Sequence, residues 1–106
     1  MYCMTVEYPK TDNSTFDYDY FRDHHVPLCV HLFADHGYVG AVMRSHGGKK
    51  PGAGDLNWVA IDLLFESKDK LQEALAGGGA EVSADVPNYT NVKPHMSFSE
   101  VTLYLV

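Results

Sequence analysis

The stretch LNWVAIDLLFE, residues 56 to 66, is the most apolar run of the chain. Its side chains alternate with a period of two, which is typical of a β-strand. One face is wholly apolar: Val59, Ile61, Leu63 and Phe65. The other face is also largely apolar, with one acid among its members: Trp58, Ala60, Asp62 and Leu64. Because a strand that is apolar on both faces needs cover on both faces, the stretch predicts a central strand.

Three further strands are predicted around it. MYCMTVEY (residues 1 to 8) alternates in the same way, with its larger apolar side chains on one face. Residues 38 to 45 form another strand candidate, and the interior Gly40 favours an edge position or a bulge. HMSFSEVTLYLV (residues 95 to 106) is expected to close the chain as the last strand.

The segment FRDHHVPLCVHLF (residues 21 to 33) predicts the first helix, capped by Ser14 or Thr15. Its apolar stripe follows a helical spacing: Phe21, His25, Leu28 and Leu32. Pro27 lies inside this helix and removes one backbone donor, so a kink or break is expected near residues 23 to 25. Gly37 is the expected stop.

The segment SKDKLQEALA (residues 67 to 76) predicts a second helix. The three glycines at positions 77 to 79 are expected to end it, since glycine has low helix propensity. Another helical turn is predicted over residues 80 to 85.

The predicted order of strand, helix, strand, strand, helix, strand is that of a ferredoxin-like α+β fold, βαββαβ. We expect a single domain over residues 1–106 with a four-stranded antiparallel sheet. Two helices cover only one face of such a sheet. The face that carries Trp58 is therefore expected to pack on the same face of a second copy, which predicts a homodimer.

Charge and composition narrow the classes of partner. The chain has 106 residues and a formal net charge of −6, which disfavours binding to nucleic acid or anionic membranes. No apolar run reaches the roughly 20 residues of a membrane span. The segment MYCMTVEYPK has no features of a signal peptide, so a cytoplasmic location is expected, with Cys3 and Cys29 as reduced, buried thiols.

His25 is the leading catalytic candidate because it lies on the apolar stripe of the first helix. A half-buried imidazole titrates near neutral pH and can accept or deliver a proton. The alternative is a core histidine bonded to a backbone carbonyl, such as that of Asp23, which Pro27 leaves without its helical donor.

Two other uses of the same helix are weaker. His25 and Cys29 stand four residues apart and His36 lies on roughly the same side, but no metal-binding motif accompanies them, so we predict no metal site. Cys29 lies in the middle of the helix, where only His25 could activate it as a nucleophile. His24 and His31 are expected to face solvent.

Two further features leave alternatives open. Asp62 and Glu100 interrupt apolar strands, and we favour pairing with a cation at an edge or seam over an acid–base role. The loop between Pro87 and Pro94 either rims a pocket or forms a rigid turn.

Several short motifs, spread over most of the chain in a consistent order, together resemble the EthD family. They are YP at 8 and 9, FDYDYFRDHHVPL at 16 to 28, LLFES at 63 to 67, DVPNYTN at 85 to 91 and SEV at 99 to 101. The resemblance implies a ferredoxin-like fold paired into a dimeric α/β barrel, with a ligand cavity between sheet and helices. It also maps the histidine of the family's H-x-P-L motif onto His25.

The leading hypothesis is therefore a small enzyme that needs no cofactor and acts on a hydrophobic, oxygen-bearing molecule by oxidation, isomerisation or elimination. His25 is its predicted catalytic residue. The predicted substrate-binding residues are Tyr8, Tyr20, Phe21, Asn88 and Tyr89, and Tyr2, Met4 and Phe98 are candidates to line the cavity. The alternative is a non-catalytic binding or accessory protein of a catabolic oxidation system such as ether degradation.

Overall fold

A computed structural model describes residues 1–106 of the chain. Its strands are β1 (Tyr2–Pro9), β2 (Tyr38–Ser45), β3 (Asn57–Phe65) and β4 (His95–Glu100). Its helices are α1 (Tyr18–Tyr20), α2 (Val26–Phe33) and α3 (Lys68–Asp85). A π-helical turn (Phe21–His25) joins α1 to α2, and a 3-10 turn (Val86–Asn88) follows α3.

The four strands form one antiparallel sheet in the order β2-β3-β1-β4. The two central strands are those with the most apolar faces, and they pair along their whole length, from Tyr2 opposite Phe65 to Tyr8 opposite Val59. The ferredoxin-like α+β fold predicted from the apolar patterns is confirmed.

The core lies between one face of this sheet and helices α2 and α3. β1 contributes Met4, Val6 and Tyr8, and β3 contributes a matching row that includes Ile61 and Leu63. These are the alternating positions predicted to share a face. Burying each such aliphatic side chain contributes about 1.5–3 kcal/mol to folding. No helix is both long and apolar enough to cross a bilayer.

The helical irregularity expected from Pro27 occurs at residues 21 to 25. The backbone N–H of Val26 donates to the carbonyl of Phe21, five residues earlier, which defines the π turn. The wider turn changes the phase of the helix after it. Phe21, His25, Cys29 and Phe33 are therefore the buried positions, whereas the predicted stripe residues Leu28 and Leu32 are only half-buried.

The prediction that glycines 77 to 79 end the second helix is wrong, since α3 continues to Asp85. Packing explains the difference. A Cβ atom on Gly78 would lie 2.9 Å from the Cβ atom of Leu32, so the missing side chain lets α3 approach α2 closely. This tertiary contact outweighs the low helix propensity of glycine, about 1 kcal/mol per residue.

Two other predicted boundaries are also wrong. β4 ends at Glu100 and not at position 106, because Glu100 already pairs with Tyr2, the first residue of β1. The first helix is capped by Asp17, whose side chain accepts from the backbone N–H of Tyr20. Ser14 instead accepts a hydrogen bond from the indole of Trp58 at 2.9 Å.

The Trp58 side chain does not need a second subunit to cover it. Only 6% of the residue is exposed, because Ser14, Phe16 and Tyr18 of the same chain pack over the indole. The expectation that Trp58 marks the open face is therefore wrong. On the face without helices, Val42 lies opposite Asp62 and is 51% exposed.

Candidate functional site

An apolar cavity of about 280 Å³ lies between the sheet and the two long helices. Its walls come from β1, β3, β4 and both helices, and they are mostly aliphatic or aromatic: Val6, Phe21, Cys29, Val82, Val86 and Met96 are examples. Met96 is also 52% exposed, so the cavity reaches the surface beside β4. The volume lies near the lower end of the range for small-molecule sites.

His25 supplies the main polar group in this apolar wall. The π turn directs it inward, stacked on Phe21 with ring centroids 5.4 Å apart, and only 3% of the residue is exposed. Its Nδ1 atom lies 2.9 Å from the Oδ2 atom of Asp85. Its Nε2 atom lies 3.2 Å from the hydroxyl of Tyr89. Both ring nitrogens therefore have partners within the protein.

Asp85 is the last residue of α3 and is held in place by two more donors. The hydroxyl of Tyr20 donates to Oδ1 at 2.6 Å, and the side-chain amide of Asn88 donates to the same oxygen at 2.9 Å. Burial alone would raise the pKa of the Asp85 carboxyl, but the hydrogen bonds from Tyr20, Asn88 and His25 lower it below its ordinary value. Asp85 is therefore an ionised acceptor at neutral pH.

The ionised carboxylate fixes the tautomer of His25. A carboxylate accepts but does not donate, so Nδ1 carries the hydrogen and Nε2 is left as the acceptor. Burial lowers the pKa of His25 below its ordinary value of 6.5, and the hydrogen bond and charge of Asp85 offset only part of this effect. The imidazole is thus neutral at neutral pH, with a basic nitrogen inside the fold.

Tyr89 and Tyr8 extend the hydrogen-bonded chain from Nε2. Their hydroxyl oxygens are 2.7 Å apart, and both side chains are buried. Burial raises the pKa of Tyr8 to about 12 and raises the pKa of Tyr89 still further. Both phenols therefore stay neutral and act as hydrogen-bond donors and acceptors only.

The loop that carries Tyr89 is anchored to the segment before α1. The backbone N–H of Asp17 donates to the Tyr89 carbonyl at 2.7 Å, and Thr90 forms an isolated β-bridge with Phe16. The Asn91 side chain bonds backbone groups of Asn13 and Thr15. The loop is both a tied turn and part of the site, so the two alternatives left open by the sequence are compatible.

The predicted site residues come together, but they occupy different positions. His25, Tyr8 and Phe21 line the cavity. Tyr20 and Asn88 lie outside its lining and bond Asp85, while Tyr89 bridges Tyr8 and His25. Of the other candidates, Met4 lines the same cavity, whereas Tyr2 and Phe98 line a neighbouring one. Their roles in binding and catalysis stay predictions.

Asp85 is the residue that the sequence reasoning missed. The alternative that His25 bonds a backbone carbonyl is wrong, because the ring bonds the Asp85 carboxylate instead. The signal was available in the DVPNYTN motif, where an acid directly precedes the loop that holds Asn88 and Tyr89. Asp85 was not predicted because α3 was expected to end at its glycines, and only the longer helix brings position 85 to His25.

The other polar candidates of this helix lie apart from the chain of hydrogen bonds. Cys29 is buried, and burial raises the pKa of its thiol to about 12, which opposes a nucleophilic role. Cys3 is also a buried free thiol, as predicted. His24 and His31 are exposed, also as predicted. A metal ion at His25 would have to displace Asp85 or Tyr89.

The acids in the strands behave differently from each other. Asp62 accepts from Thr5 at 2.8 Å and forms an ion pair with Arg44, in agreement with the predicted pairing to a cation. Glu100 is exposed at the end of β4. Neither acid lines the cavity that holds His25.

Comparisons with known proteins support the assignment of the fold. No protein-family profile and no curated protein matches the sequence. Among solved structures, an EthD-like protein from Ralstonia eutropha has a TM-score of 0.83 and 25% identity, covering 96% of this chain and 92% of that one. A dimeric ferredoxin-like protein from an uncultured marine organism has a TM-score of 0.66 and 9% identity, with 100% and 99% coverage. SnoaB, a cofactor-independent oxygenase from Streptomyces nogalater, has a TM-score of 0.59 and 13% identity, with 96% and 95% coverage.

Fold and site together define a class: small ferredoxin-like proteins with a cavity enclosed between the sheet and the helices. Within that class, the chain is similar to an EthD-like protein.

Proposed function

We propose that the chain is a small enzyme that removes a proton from an apolar, oxygen-bearing molecule bound in the cavity, with His25 as the base. One observation carries the proposal. A neutral imidazole lies in the wall of an apolar cavity, and an ionised carboxylate, Asp85, bonds the nitrogen that faces away from Tyr89.

Asp85 favours this chemistry in two ways. Its hydrogen bond holds Nδ1–H in place and so leaves Nε2 as the basic atom. When His25 gains a proton, the adjacent carboxylate stabilises the imidazolium that forms. Burial meanwhile keeps the resting imidazole neutral, which is the state that a base requires.

The substrate is expected to be small and mostly apolar, since the cavity volume is about 280 Å³. Removing a proton beside a carbonyl or from a phenol gives an electron-rich anion. Such an anion can isomerise, eliminate a group or react with dioxygen. The similarity to SnoaB, which is a cofactor-independent oxygenase, supports chemistry that needs no bound cofactor.

The test uses 2-tetralone, a two-ring ketone with an acidic C–H bond beside its carbonyl. The ketone is labelled with tritium at C1, and release of tritium to water is measured with and without protein. The wild-type protein is expected to accelerate release over buffer. The His25→Gln variant is expected to lose about 10²-fold or more of that acceleration, the usual contribution of a general base.

The matched control is His24→Gln, since this neighbouring histidine is exposed and outside the cavity. It should release tritium at the wild-type rate. Equal rates for His25→Gln and wild type would show that His25 is not the base.

A second candidate function is ligand binding without turnover. The observation in its favour is that the protein already satisfies both ring nitrogens of His25, so the imidazole needs no substrate to complete its hydrogen bonds. This candidate predicts saturable binding of 2-tetralone with no tritium release above buffer. Binding is measured by the chemical shifts of the cavity methyl groups of Val82 and Val86.

We also infer that the chain forms a homodimer through the sheet face that lacks helices. Val42 is exposed on this face, Leu64 is half-buried there, and the Arg44–Asp62 pair lies between their strands. The similarity to a dimeric ferredoxin-like protein supports this arrangement.

A further inference from the structure

We propose that the proton reaches His25 indirectly, through the hydroxyls of Tyr8 and Tyr89, and that Tyr8 is the group that contacts the substrate's acidic hydrogen. This inference rests on the proposed function. It assigns the two tyrosines distinct parts in the proton transfer: Tyr8 touches the substrate, and Tyr89 relays the proton.

The direction of the hydrogen bonds leads to this assignment. Asp85 fixes the hydrogen of His25 on Nδ1, so Nε2 must accept. The nearest donor to Nε2 is the Tyr89 hydroxyl at 3.2 Å. A phenol has one hydrogen, so Tyr89 cannot also donate to Tyr8. The 2.7 Å contact between the two hydroxyls is therefore a bond from Tyr8 to Tyr89.

Tyr8 is the free end of this row of hydrogen bonds. Tyr89 donates to His25 and accepts from Tyr8, and it is not part of the cavity lining. Tyr8 lines the cavity, and its own hydrogen is used by Tyr89. The oxygen of Tyr8 keeps lone pairs with no protein donor, so it can accept a hydrogen from a bound molecule.

Direct transfer to His25 is less compatible with this geometry. A substrate would have to displace the Tyr89 hydroxyl from Nε2 before it reached the basic atom. Tyr89 is 3% exposed and packs edge-on against Phe21, and its backbone is tied to Asp17. Displacement would therefore disturb the packed core, whereas transfer through the hydroxyls leaves every side chain in place.

The transfer balances in atoms and charge. A C–H bond beside the carbonyl of the substrate breaks, its electron pair stays on the substrate as an enolate, and the proton passes to the Tyr8 oxygen. At the same time the Tyr8 hydrogen moves to Tyr89, and the Tyr89 hydrogen moves to Nε2 of His25. Both phenols end neutral, and the products are an enolate and an imidazolium beside Asp85. Return of the proton to the same or another carbon completes an exchange or an isomerisation without oxidant or cofactor.

The chemical class of the substrate follows from the Tyr8 oxygen, which is the acceptor that faces the substrate in the proposed relay. Tyr8 has no hydrogen left to donate to a substrate oxygen, so the molecule must present its acidic hydrogen to Tyr8. Apolar contacts with the cavity wall then supply most of the binding. Enolisable cyclic ketones and phenols meet these requirements, whereas carboxylates, which only accept, do not.

The experiment uses tritium release from 2-tetralone by three phenylalanine variants. Tyr8→Phe and Tyr89→Phe remove one hydroxyl each and keep the ring that packs in the core. Each is expected to lose about 10²-fold or more of the acceleration, as His25→Gln does, because either change interrupts the proton transfer. Tyr38→Phe is the control, since this half-buried tyrosine packs on Phe65 and is not part of the cavity lining.

A second measurement uses the wild-type protein only. Tritium release is followed in mixtures of H₂O and D₂O. In the relay the two solvent-exchangeable hydrogens of Tyr8 and Tyr89 move together with the substrate's carbon-bound hydrogen, so the rate falls along a curve as the deuterium fraction rises. In direct transfer to His25 only the substrate's own hydrogen moves, so the rate follows a flat, straight line. The relay predicts the curve.

The outcomes separate the two proposals. The relay is overturned if His25→Gln loses release while Tyr8→Phe and Tyr89→Phe keep it, or if the isotope mixtures give a straight line. Either result leaves His25 as a direct base. No acceleration by the wild-type protein contradicts the base itself and the relay with it. The relay predicts that His25→Gln, Tyr8→Phe and Tyr89→Phe all lose tritium release, whereas Tyr38→Phe keeps the wild-type rate. It also predicts a curved response in the isotope mixtures.

Discussion

The carboxylate of Asp85 lies 2.9 Å from Nδ1 of His25, although the two residues are 60 positions apart in the chain. The contact joins the end of α3 to the π turn before α2. It links folding to the candidate chemistry, because the same carboxylate anchors α3 and sets the tautomer of the imidazole.

Replacing Asp85 by Asn is expected to destabilise the protein by about 1–3 kcal/mol, since hydrogen bonds to a charged acceptor are lost and one buried group is left unpaired. The measurement is the free energy of unfolding in urea. Glu81→Gln is the matched control, because Glu81 lies on the same helix but is exposed. Equal stability of the two variants would contradict a structural role for the Asp85 contact.

Stability should also depend on pH through His25. Its folded-state pKa is lowered by burial, so the unfolded chain takes up a proton first as the pH falls below about 6.5. The free energy of unfolding is therefore greatest above this pH and falls as the pH drops toward the folded-state pKa, by about 1.4 kcal/mol for each unit of difference.

The Asp85 carboxyl affects the free energy of unfolding at a lower pH than His25 does. Its folded-state pKa is lowered from 3.8, so its contribution is present above that value and is lost as the pH falls through the folded-state pKa. Urea unfolding between pH 7 and pH 4.5 isolates the part due to His25. His25→Gln should flatten that part of the curve, and an unchanged slope in this variant would assign the effect to other groups.

The close contact between α2 and α3 can be tested by substitutions at Gly77 and Gly78. A methyl group at Gly78 would lie 2.9 Å from Leu32 Cβ, which is attached directly to the backbone and cannot move away easily. Gly78→Ala is thus expected to destabilise the protein by about 1–3 kcal/mol, as overpacking does.

Gly77→Ala is its control, because the nearest atom to a new Cβ there is His36 Nε2 at an ordinary 3.7 Å. This variant should gain about 0.5–1 kcal/mol from helix propensity. Thermal unfolding of both variants is the measurement. A stabilising Gly78→Ala change would mean that the two helices are not in close contact.

The proposed dimer interface can be tested by a charge at position 42, which should separate the subunits. Val42→Lys places a charge on the proposed interface, yet Asp62 is directly opposite on β3, so the separate subunit should keep its stability. Sedimentation velocity is expected to show a dimer for the wild type and a monomer for Val42→Lys. Leu56→Lys, which changes an exposed residue just before β3, should stay dimeric. A monomeric wild-type protein would contradict the proposed interface.

The sequence predicted most of the fold because the fold depends on local periodicity. The alternating faces of residues 2 to 8 and 59 to 65 identify the central strands, and Pro27 marks the irregular helix. It failed at Gly78 and Trp58, where contacts between distant segments decide the outcome. Local propensity contains no information about such contacts.

The candidate site was predictable in part for the same reason. The inward direction of His25 follows from helical spacing, and the aromatic motif around Tyr89 is visible in the sequence. The pairing of His25 with Asp85 depends on the full length of α3 and on its packing angle. Neither quantity can be obtained from a single short motif.

The most direct measurement is ¹⁵N NMR of the His25 side chain as a function of pH. The ring is expected to be neutral at pH 7, to carry its hydrogen on Nδ1 and to titrate below 6.5. A hydrogen on Nε2, or a ring that is charged at pH 7, would contradict it.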